Sequence, residues 1–197
     1  MTSPKDRTRV RRLPEKAVTD RDALDALLAA ALVAHVAVVD DGQPYVVPMA
    51  CAPDRDRLLL HGSTGSRLMR LLAAGAPTCV TITLLDGLVY ARSAFESSMN
   101  YRSAMILGSC TALDGDDALE GLRLLTAHLP PQRWDTLRAP LRKELAATSV
   151  LAMPLTEWSV KISDGPPDDD PRDLDAPVWA GVVPLSLQPG TPLDAPD

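Results

Sequence analysis

The spacing of hydrophobic residues changes near residue 31. Leucines and alanines recur at helical spacing from residue 20 to 31, and Thr19-Asp20-Arg21-Asp22 resembles a capping box, so this stretch predicts an amphipathic helix. The next stretch, AHVAVVDDGQPYVVPMACA, contains two β-rich runs joined by Asp41-Gly42, a strong hairpin signal. RLLLH follows as a third predicted strand.

The same patterning continues through the middle of the chain. A turn, HGSTGS, leads into a helix predicted from Ser66 to Ala74, and TCVTITLLDGLVYARS predicts two strands joined by Asp86-Gly87. An SSMN loop then precedes a long apolar strand predicted from Arg102 to Leu113. The remaining predictions are helices over 116–129 and 140–148 and strands over 150–155 and 158–162.

Six or more antiparallel strands with helices between and after them predict a mainly β (α+β) fold, an antiparallel split β-barrel with flanking helices. We expect one such domain over 17–163, a basic arm over 1–16 and a disordered tail over 191–197. The intervening 164–190 segment is rich in proline and aspartate, a composition typical of disorder. Its stretch VWAGVVPLSL, 178–187, is too apolar for a solvated tail, so we expect it to dock on the barrel.

The charge and composition of the chain indicate which classes of binding partner are favoured. The 197 residues carry 20 basic and 26 acidic side chains, a formal charge of −6, which argues against a nucleic-acid or anionic-membrane surface and favours a small-molecule partner. The basic arm contains Asp6 and Glu15 and is expected to be solvated. Without an apolar run of about 20 residues or a signal core, a cytoplasmic protein is expected.

The three cysteines are odd in number and widely separated, and they lie in apolar surroundings. Cys51, Cys79 and Cys110 form no C-x-x-C motif and no His/Cys cluster. Free thiols are therefore expected rather than disulfides or a metal site.

The stretch LHGSTGSRLMR, residues 60–70, combines a helix start with two arginines. Unpaired amides and a positive dipole at a helix N-terminus attract anions such as phosphate. A P-loop is excluded, because Gly62 and Gly65 are too close and no lysine follows. A nucleophile elbow is excluded as well, because Thr64 occupies the position of the serine. A plain βα turn with a hydroxyl cap remains an equal alternative.

Four stretches carry a resemblance to a known family: HVAVVDDGQPYVVPM, LHGSTGSRLMRLLAAGAPTCVTI, SMNYRSAMILG and SVKISDGPPDDDPRDLDAPVWAGVVPL. Together they resemble the FMN-binding split barrel of the pyridoxamine 5'-phosphate oxidase-like superfamily, in the branch related to nitroimidazole-resistance reductases. The resemblance spans most of residues 13–187.

The resemblance implies FMN, held at a homodimer interface with its phosphate at the 61–67 turn. The implied phosphate-side residues are His61, Gly62, Ser63, Thr64, Ser66 and Arg67. The stretch Tyr45–Met49 would border the isoalloxazine ring, with Val47, Pro48 and Met49 as the contact residues. Contacts from the partner subunit would come from Asn100, Tyr101, Arg102 and Ser103, and Trp179 would place an aromatic ring near the flavin.

The implied activity is that of an FMN-dependent oxidoreductase that reduces a small electron-poor molecule, with NADH or NADPH as a possible donor. His61, beside the turn, is the candidate proton donor, whereas His35 and His128 are expected to be structural. Vitamin B6 oxidation is not expected, because AGVVPLSL lacks the arginine and histidine that would hold the substrate phosphate.

Two alternatives stay open. The first is a haem-binding or haem-degrading split-barrel protein with His61 or His35 as the axial ligand. The second is a flavin-binding protein without turnover that acts as a store or a redox sensor.

Overall fold

The computed structural model describes residues 4–129 and 133–196. Its strands are β1 (Ala17–Val18), β2 (Val33–Asp40), β3 (Gln43–Asp54), β4 (Arg57–Ser63), β5 (Thr78–Tyr90), β6 (Ser98–Gly108), β7 (Thr111–Leu113), β8 (Thr148–Pro154), β9 (Trp158–Ser163) and β10 (Gly181–Pro184). Its α-helices are α1 (Pro4–Arg7), α2 (Arg21–Ala30), α3 (Arg67–Ala73), α4 (Gly115–His128) and α5 (Arg142–Ala147). Short 3₁₀ helices span Pro14–Lys16, Trp134–Thr136 and Pro171–Asp173.

The strands form an antiparallel sheet in the order β1-β9-β6-β5-β2-β3-β4-β8-β7, and β10 pairs with β5. The predicted mainly β class and split-barrel type are confirmed. Contacts divide the chain into two compact units, residues 1–84 with 103–161 and residues 85–102 with 162–197. The domain boundaries predicted from composition stay predictions.

The β2–β3 hairpin turns on two residues, as the sequence predicts. Asp41 and Gly42 have positive φ angles of 49° and 74°, which a type I′ turn requires and which glycine and aspartate tolerate. The turn sets Asp40 opposite Gln43, Val38 opposite Tyr45 and His35 opposite Pro48. This register decides which side chains share a face of the sheet.

The predicted helices are confirmed, with ends that differ by a few residues. Asp20 caps α2 by accepting a hydrogen bond from the Asp22 amide, and Leu24, Leu27 and Leu28 of α2 are buried. Burying each leucine contributes roughly 1.5–3 kcal/mol. Helix α4 buries Leu125 in a cluster with strand residues Ala52, Leu59, Val150 and Ala152. The core of the first unit therefore lies between these helices and strands β3, β4 and β8.

The predicted turn at Asp86-Gly87 is wrong, because β5 runs unbroken from Thr78 to Tyr90. Gly87 lies opposite Pro184 of β10, where an added Cβ would approach Val182 Cγ1 to 3.0 Å and the Val183 carbonyl oxygen to 3.2 Å. Glycine therefore provides room for β10 at this position. The Asp86 carboxylate accepts hydrogen bonds from Arg102 Nε and Nη2 at 2.9 and 2.8 Å.

The predicted 102–113 strand is also different in the structure. Strand β6 starts at Ser98, within the predicted SSMN loop, and ends at Gly108, whereas β7 pairs separately with β8. Asn100 is buried inside β6, and its Nδ2 donates to the Gly165 carbonyl at 2.9 Å. Because that hydrogen bond satisfies the buried amide, a polar segment forms a strand here.

The structure also places the three cysteines and the basic arm. Cys51, Cys79 and Cys110 are free thiols as predicted, and burial raises the pKa of Cys51 and Cys110 to about 11. The basic arm is held to the first unit by Arg7, whose Nε and Nη2 donate to the Glu157 carboxylate at 2.9 and 2.7 Å. Within the described residues, no helix combines the length and the apolar character that a bilayer span requires.

Replacing Gly87 by valine should weaken the pairing of β10 with β5, because a side chain there meets Val182 and the Val183 carbonyl. We expect faster amide hydrogen exchange over residues 181–184, measured by mass spectrometry. Gly190→Val is the matched control, since an added Cβ at Gly190 has no atom within 4 Å. Equal exchange in both variants would show that glycine is not required at position 87.

Candidate functional site

The turn between β4 and α3 has largely satisfied its own backbone amides. Thr64 donates its amide and its hydroxyl to the Ala147 carbonyl at 3.0 and 3.3 Å. The Gly65 amide donates to Ser63 Oγ at 3.2 Å, and the Ser66 amide donates to the Ser63 carbonyl at 2.9 Å. Helix α3 has only 7 residues. An anion at this turn would therefore depend on side chains more than on the turn amides of residues 64–66.

Arg67 supplies that side-chain charge at the first position of α3. Its guanidinium carbon lies 4.0 Å from the centroid of the Tyr45 ring, and its Nε lies 3.7 Å from Asp40 Oδ2. The Arg67 side chain is 56% exposed. The Ser66 hydroxyl makes no capping hydrogen bond, so a serine hydroxyl and a guanidinium are both available beside each other.

These groups lie on a small cavity of about 190 Å³ within the first unit. The register places Val38 opposite Tyr45 and Val36 opposite Val47, so Tyr45 and Val47 project from the same face of the hairpin. That face meets the start of α3. The lining residues are Val38, Tyr45, Val47, Ser66, Arg67, Leu68 and Leu71.

The structure thus brings together three of the predicted residues, Val47, Ser66 and Arg67. The sequence prediction omitted Asp40, and it included Tyr45 only in the stretch expected to border the flavin ring; both residues contact Arg67. The period of two along a strand indicates that Tyr45 shares a face with Val47.

Pro48 projects from the opposite face of β3 and does not line this cavity. It lies opposite His35 of β2, and both residues are exposed. Met49 lies on the Val47 face, opposite Ala34. The three residues predicted to border a flavin ring are therefore divided between two faces of the sheet, and Pro48 shares its face with His35.

His61 and Gly62 precede the turn in β4. His61 lies opposite Val150 of β8 and is partly buried, and burial lowers the pKa of its imidazole below 6.5. The neutral ring is therefore favoured near neutral pH. An added Cβ at Gly62 would lie 2.8 Å from Met69 Cγ, so this glycine allows α3 to pack closely on β4.

The second unit holds most of the other predicted residues, and several of them have structural partners there. Asn100 binds the Gly165 carbonyl, and Arg102 forms a two-hydrogen-bond ion pair with Asp86 that lowers the pKa of that carboxyl. Trp179 is 65% exposed, and its ring lies 5.9 Å from that of Tyr90. Tyr101 is partly buried.

Ser103 belongs to the first unit, where its hydroxyl donates to the Lys161 carbonyl at 3.4 Å. The flavin contacts predicted for the residues of the Arg67 cavity and for those of the second unit stay predictions.

The chemistry of the Arg67 cavity suits an anionic group that is linked to an organic body. A guanidinium and a hydroxyl are donors for phosphate, and the Tyr45 ring and aliphatic side chains cover apolar atoms. In the described part of the chain, no three His, Cys, Asp or Glu side chains cluster as metal ligands. A haem iron is a different case, since a single neutral histidine can be its protein ligand.

Comparisons with known proteins agree with the resemblance in the sequence. The family model for pyridoxamine 5'-phosphate oxidase matches residues 20–162. No curated protein sequence matches the chain.

Among solved structures, the FAD and haem binding protein from Mycobacterium smegmatis is 48% identical, with a TM-score of 0.89 over 92% of this chain and 90% of that chain. The flavocytochrome Anf3 from Azotobacter vinelandii is 38% identical, with a TM-score of 0.91 over 100% of this chain and 92% of that chain.

A 5-nitroimidazole antibiotic resistance protein from Bacteroides thetaiotaomicron shares the fold at 21% identity and a TM-score of 0.63, over 74% of this chain and 86% of that chain. The predicted family is confirmed by the extent of the family match. The chain belongs to the pyridoxamine 5'-phosphate oxidase family.

Proposed function

We propose that this protein is an oxidoreductase that binds a flavin and a haem. The support is that two structures, 48% and 38% identical over at least 92% of this chain, are an FAD and haem binding protein and a flavocytochrome. A flavin exchanges one or two electrons and a haem iron exchanges one, so this pair of cofactors would supply oxidation–reduction chemistry. The chain's own residues bind the cofactors, orient them and exclude water.

The observation that carries the flavin assignment is the state of Arg67. Its guanidinium is held over Tyr45 at the mouth of the cavity, and its N–H groups donate to no acceptor in the described chain. A phosphate would complete those hydrogen bonds, each contributing roughly 1.5–3 kcal/mol. The relative that is 48% identical is an FAD and haem binding protein, which favours FAD, and FMN, implied by the sequence resemblance, is the alternative.

For the haem, His61 is the residue that would hold the iron. Its imidazole is partly buried and its pKa is lowered, which favours the neutral form that binds iron. His128 is engaged elsewhere, because its Nε2 lies 2.7 Å from the Ala31 carbonyl oxygen. His35 is the alternative ligand, exposed beside Pro48 on the outer face of the hairpin.

We also propose a homodimer. The outer face of the β2–β3 hairpin exposes Val33, Val39 and Val46, whose exposed fractions are 48%, 60% and 61%. Such a run of exposed valines on one sheet face favours burial against a second protein surface. The proposed substrate is a small electron-poor molecule, and NADH or NADPH is the proposed electron donor. A cytoplasmic location stays a prediction.

The purified protein should contain both a flavin and a haem, because of its similarity to two flavin- and haem-binding proteins. We expect the flavin double band and a Soret band in the visible spectrum, and FAD as the flavin released by heating and identified by chromatography. His61→Ala should lose the Soret band and keep the flavin, with His35→Ala as the matched control. If only His35→Ala loses the Soret band, His35 is the haem ligand instead. A protein that can be loaded with neither cofactor would refute the proposal.

The same preparation distinguishes an enzyme from a flavin store or redox sensor. If the protein is an enzyme, NADH or NADPH should reduce the flavin and bleach its visible absorption. An electron-poor acceptor should then reoxidise the flavin, and the cycle should repeat. A store would show no catalytic turnover of donor and acceptor.

His61 should make the cofactor-free protein less stable as the pH falls. Its folded pKa lies below 6.5, so the unfolded state takes up a proton first, and the free energy of unfolding decreases below about pH 6.5. Denaturant unfolding at pH 7.5 and 5.5 should show that the free energy of unfolding decreases less for His61→Asn than for the native chain. His35→Asn should behave like the native chain, and an equal loss in all three would contradict the effect of His61 burial.

Val46→Glu should convert the proposed dimer to monomer, because it places a charge among the exposed valines of the hairpin face. Sedimentation velocity at micromolar concentration measures the change. Phe95→Glu is the control, since Phe95 is 91% exposed and lies outside the hairpin. A native chain that is monomeric with its cofactors bound would rule out the dimer.

A further inference from the structure

Arg67 differs from the other ion-paired arginines in the described chain. Arg102 and Arg57, for example, donate hydrogen bonds of 2.7–2.9 Å to their carboxylates, and the other ion-paired arginines also donate hydrogen bonds, none longer than 3.1 Å. Arg67 Nε lies 3.7 Å from Asp40 Oδ2, too far for such a hydrogen bond. The guanidinium is therefore attracted by Asp40, while its donors stay available.

The second contact of Arg67 determines where the guanidinium lies. The Tyr45 ring centroid is 4.0 Å from the guanidinium carbon, within the range of a cation–π interaction. Tyr45 is itself anchored in β3, opposite Val38 of β2. A long, half-exposed arginine that would otherwise sample many rotamers is thus held beside the cavity.

We infer that Tyr45 and Asp40 are positioning residues for Arg67 that act in opposite directions on its binding of a phosphate. This inference rests on the proposed flavin function. Tyr45 pre-organises the guanidinium over the cavity, so it strengthens binding of the phosphate-bearing end of a flavin. Asp40 competes for the same cation and repels the anion, so it weakens that binding. The pair therefore determines how strongly the site prefers a phosphorylated flavin to an unphosphorylated one.

The position and charge of Asp40 support its role in weakening phosphate binding at Arg67. Its side chain is 32% exposed and lies on the same face of the hairpin as Val38, towards Arg67. A phosphate bound to Arg67 would lie within a few ångströms of this carboxylate, where like charges repel even at a hydrated surface. Neutralising Asp40 while keeping its shape should remove that repulsion.

The test uses FMN and riboflavin, which differ only in the phosphate, and measures both dissociation constants by fluorescence titration of the flavin-depleted full chain. The readout is the ratio of the two constants, since a residue with a merely structural role would change both alike. Arg67→Ala should remove most of the preference for FMN. Tyr45→Leu should weaken FMN binding about two- to fivefold more than riboflavin binding, the size expected of an exposed cation–π contact.

Two matched variants test the Tyr45 ring and the Asp40 charge separately. Tyr45→Phe keeps the ring and should retain the native ratio. Asp40→Asn should tighten FMN binding about two- to fivefold at low salt, and the gain should disappear at 1 M salt, where charges are screened. In the Arg67→Ala background, Tyr45→Leu should not change the ratio by more than the measurement error. Asp40→Asn should keep only the part of its gain that comes from direct repulsion of the phosphate.

The outcomes separate this inference from the proposed function. If the native chain binds FMN and the ratio is the same in Tyr45→Leu and Asp40→Asn as in the native chain, the positioning role is wrong and the flavin function stands. If the native chain binds none of FAD, FMN and riboflavin, the proposed function fails and the inference falls with it. If it binds FAD but binds FMN no better than riboflavin, the proposed function stands and the inference is wrong. Additive effects of Tyr45→Leu and Arg67→Ala on the ratio would also overturn the inference, because the two residues would then act independently.

Discussion

The register of the β2–β3 hairpin is the constraint on which the candidate site depends. A two-residue turn at Asp41-Gly42, with both φ angles positive, allows one pairing of the strands. That pairing places Tyr45 and Val47 on the face that meets α3, and it places Pro48 beside His35 on the other face. A slip of one residue would exchange the two faces. The cavity beside Arg67 would then lose both its aromatic wall and its aliphatic wall.

The ion-paired arginines that the structure describes have two kinds of role. Arg102 and Arg7 are satisfied by carboxylates at hydrogen-bonding distance and contribute to local structure. Arg67 is held by the face of a ring and by a more distant carboxylate, so its position is restricted while its donors remain available. The amides of the preceding turn are used within the chain itself. Recognition of an anion at this point therefore rests on a side-chain charge, which is why the neighbours of Arg67 matter.

Glycine shows how strongly tertiary contacts decide local structure. Asp-Gly forms the hairpin turn at residues 41–42, yet the same dipeptide at 86–87 lies inside a continuous strand. The difference is what surrounds each glycine. Gly42 has open space around it, whereas Gly87 is covered by β10, which pairs with β5 through Gly181–Pro184. A segment 94 residues further along the chain, counted from Gly87 to Gly181, thus provides the partner that keeps the second Asp-Gly extended.

The sequence by itself determined the family and those local elements whose signals lie in neighbouring residues. Periodicity, the Asp20 cap and the Asp41-Gly42 turn predict α2, β2 and β3, because those signals depend on neighbouring residues. The motif around Arg67 predicts a place for an anion. Only the tertiary structure decided that Tyr45 and Asp40 flank Arg67, that Pro48 faces away, and that Asp86 pairs with Arg102. These contacts join residues distant along the chain, and strand pairing rather than local propensity brings them together.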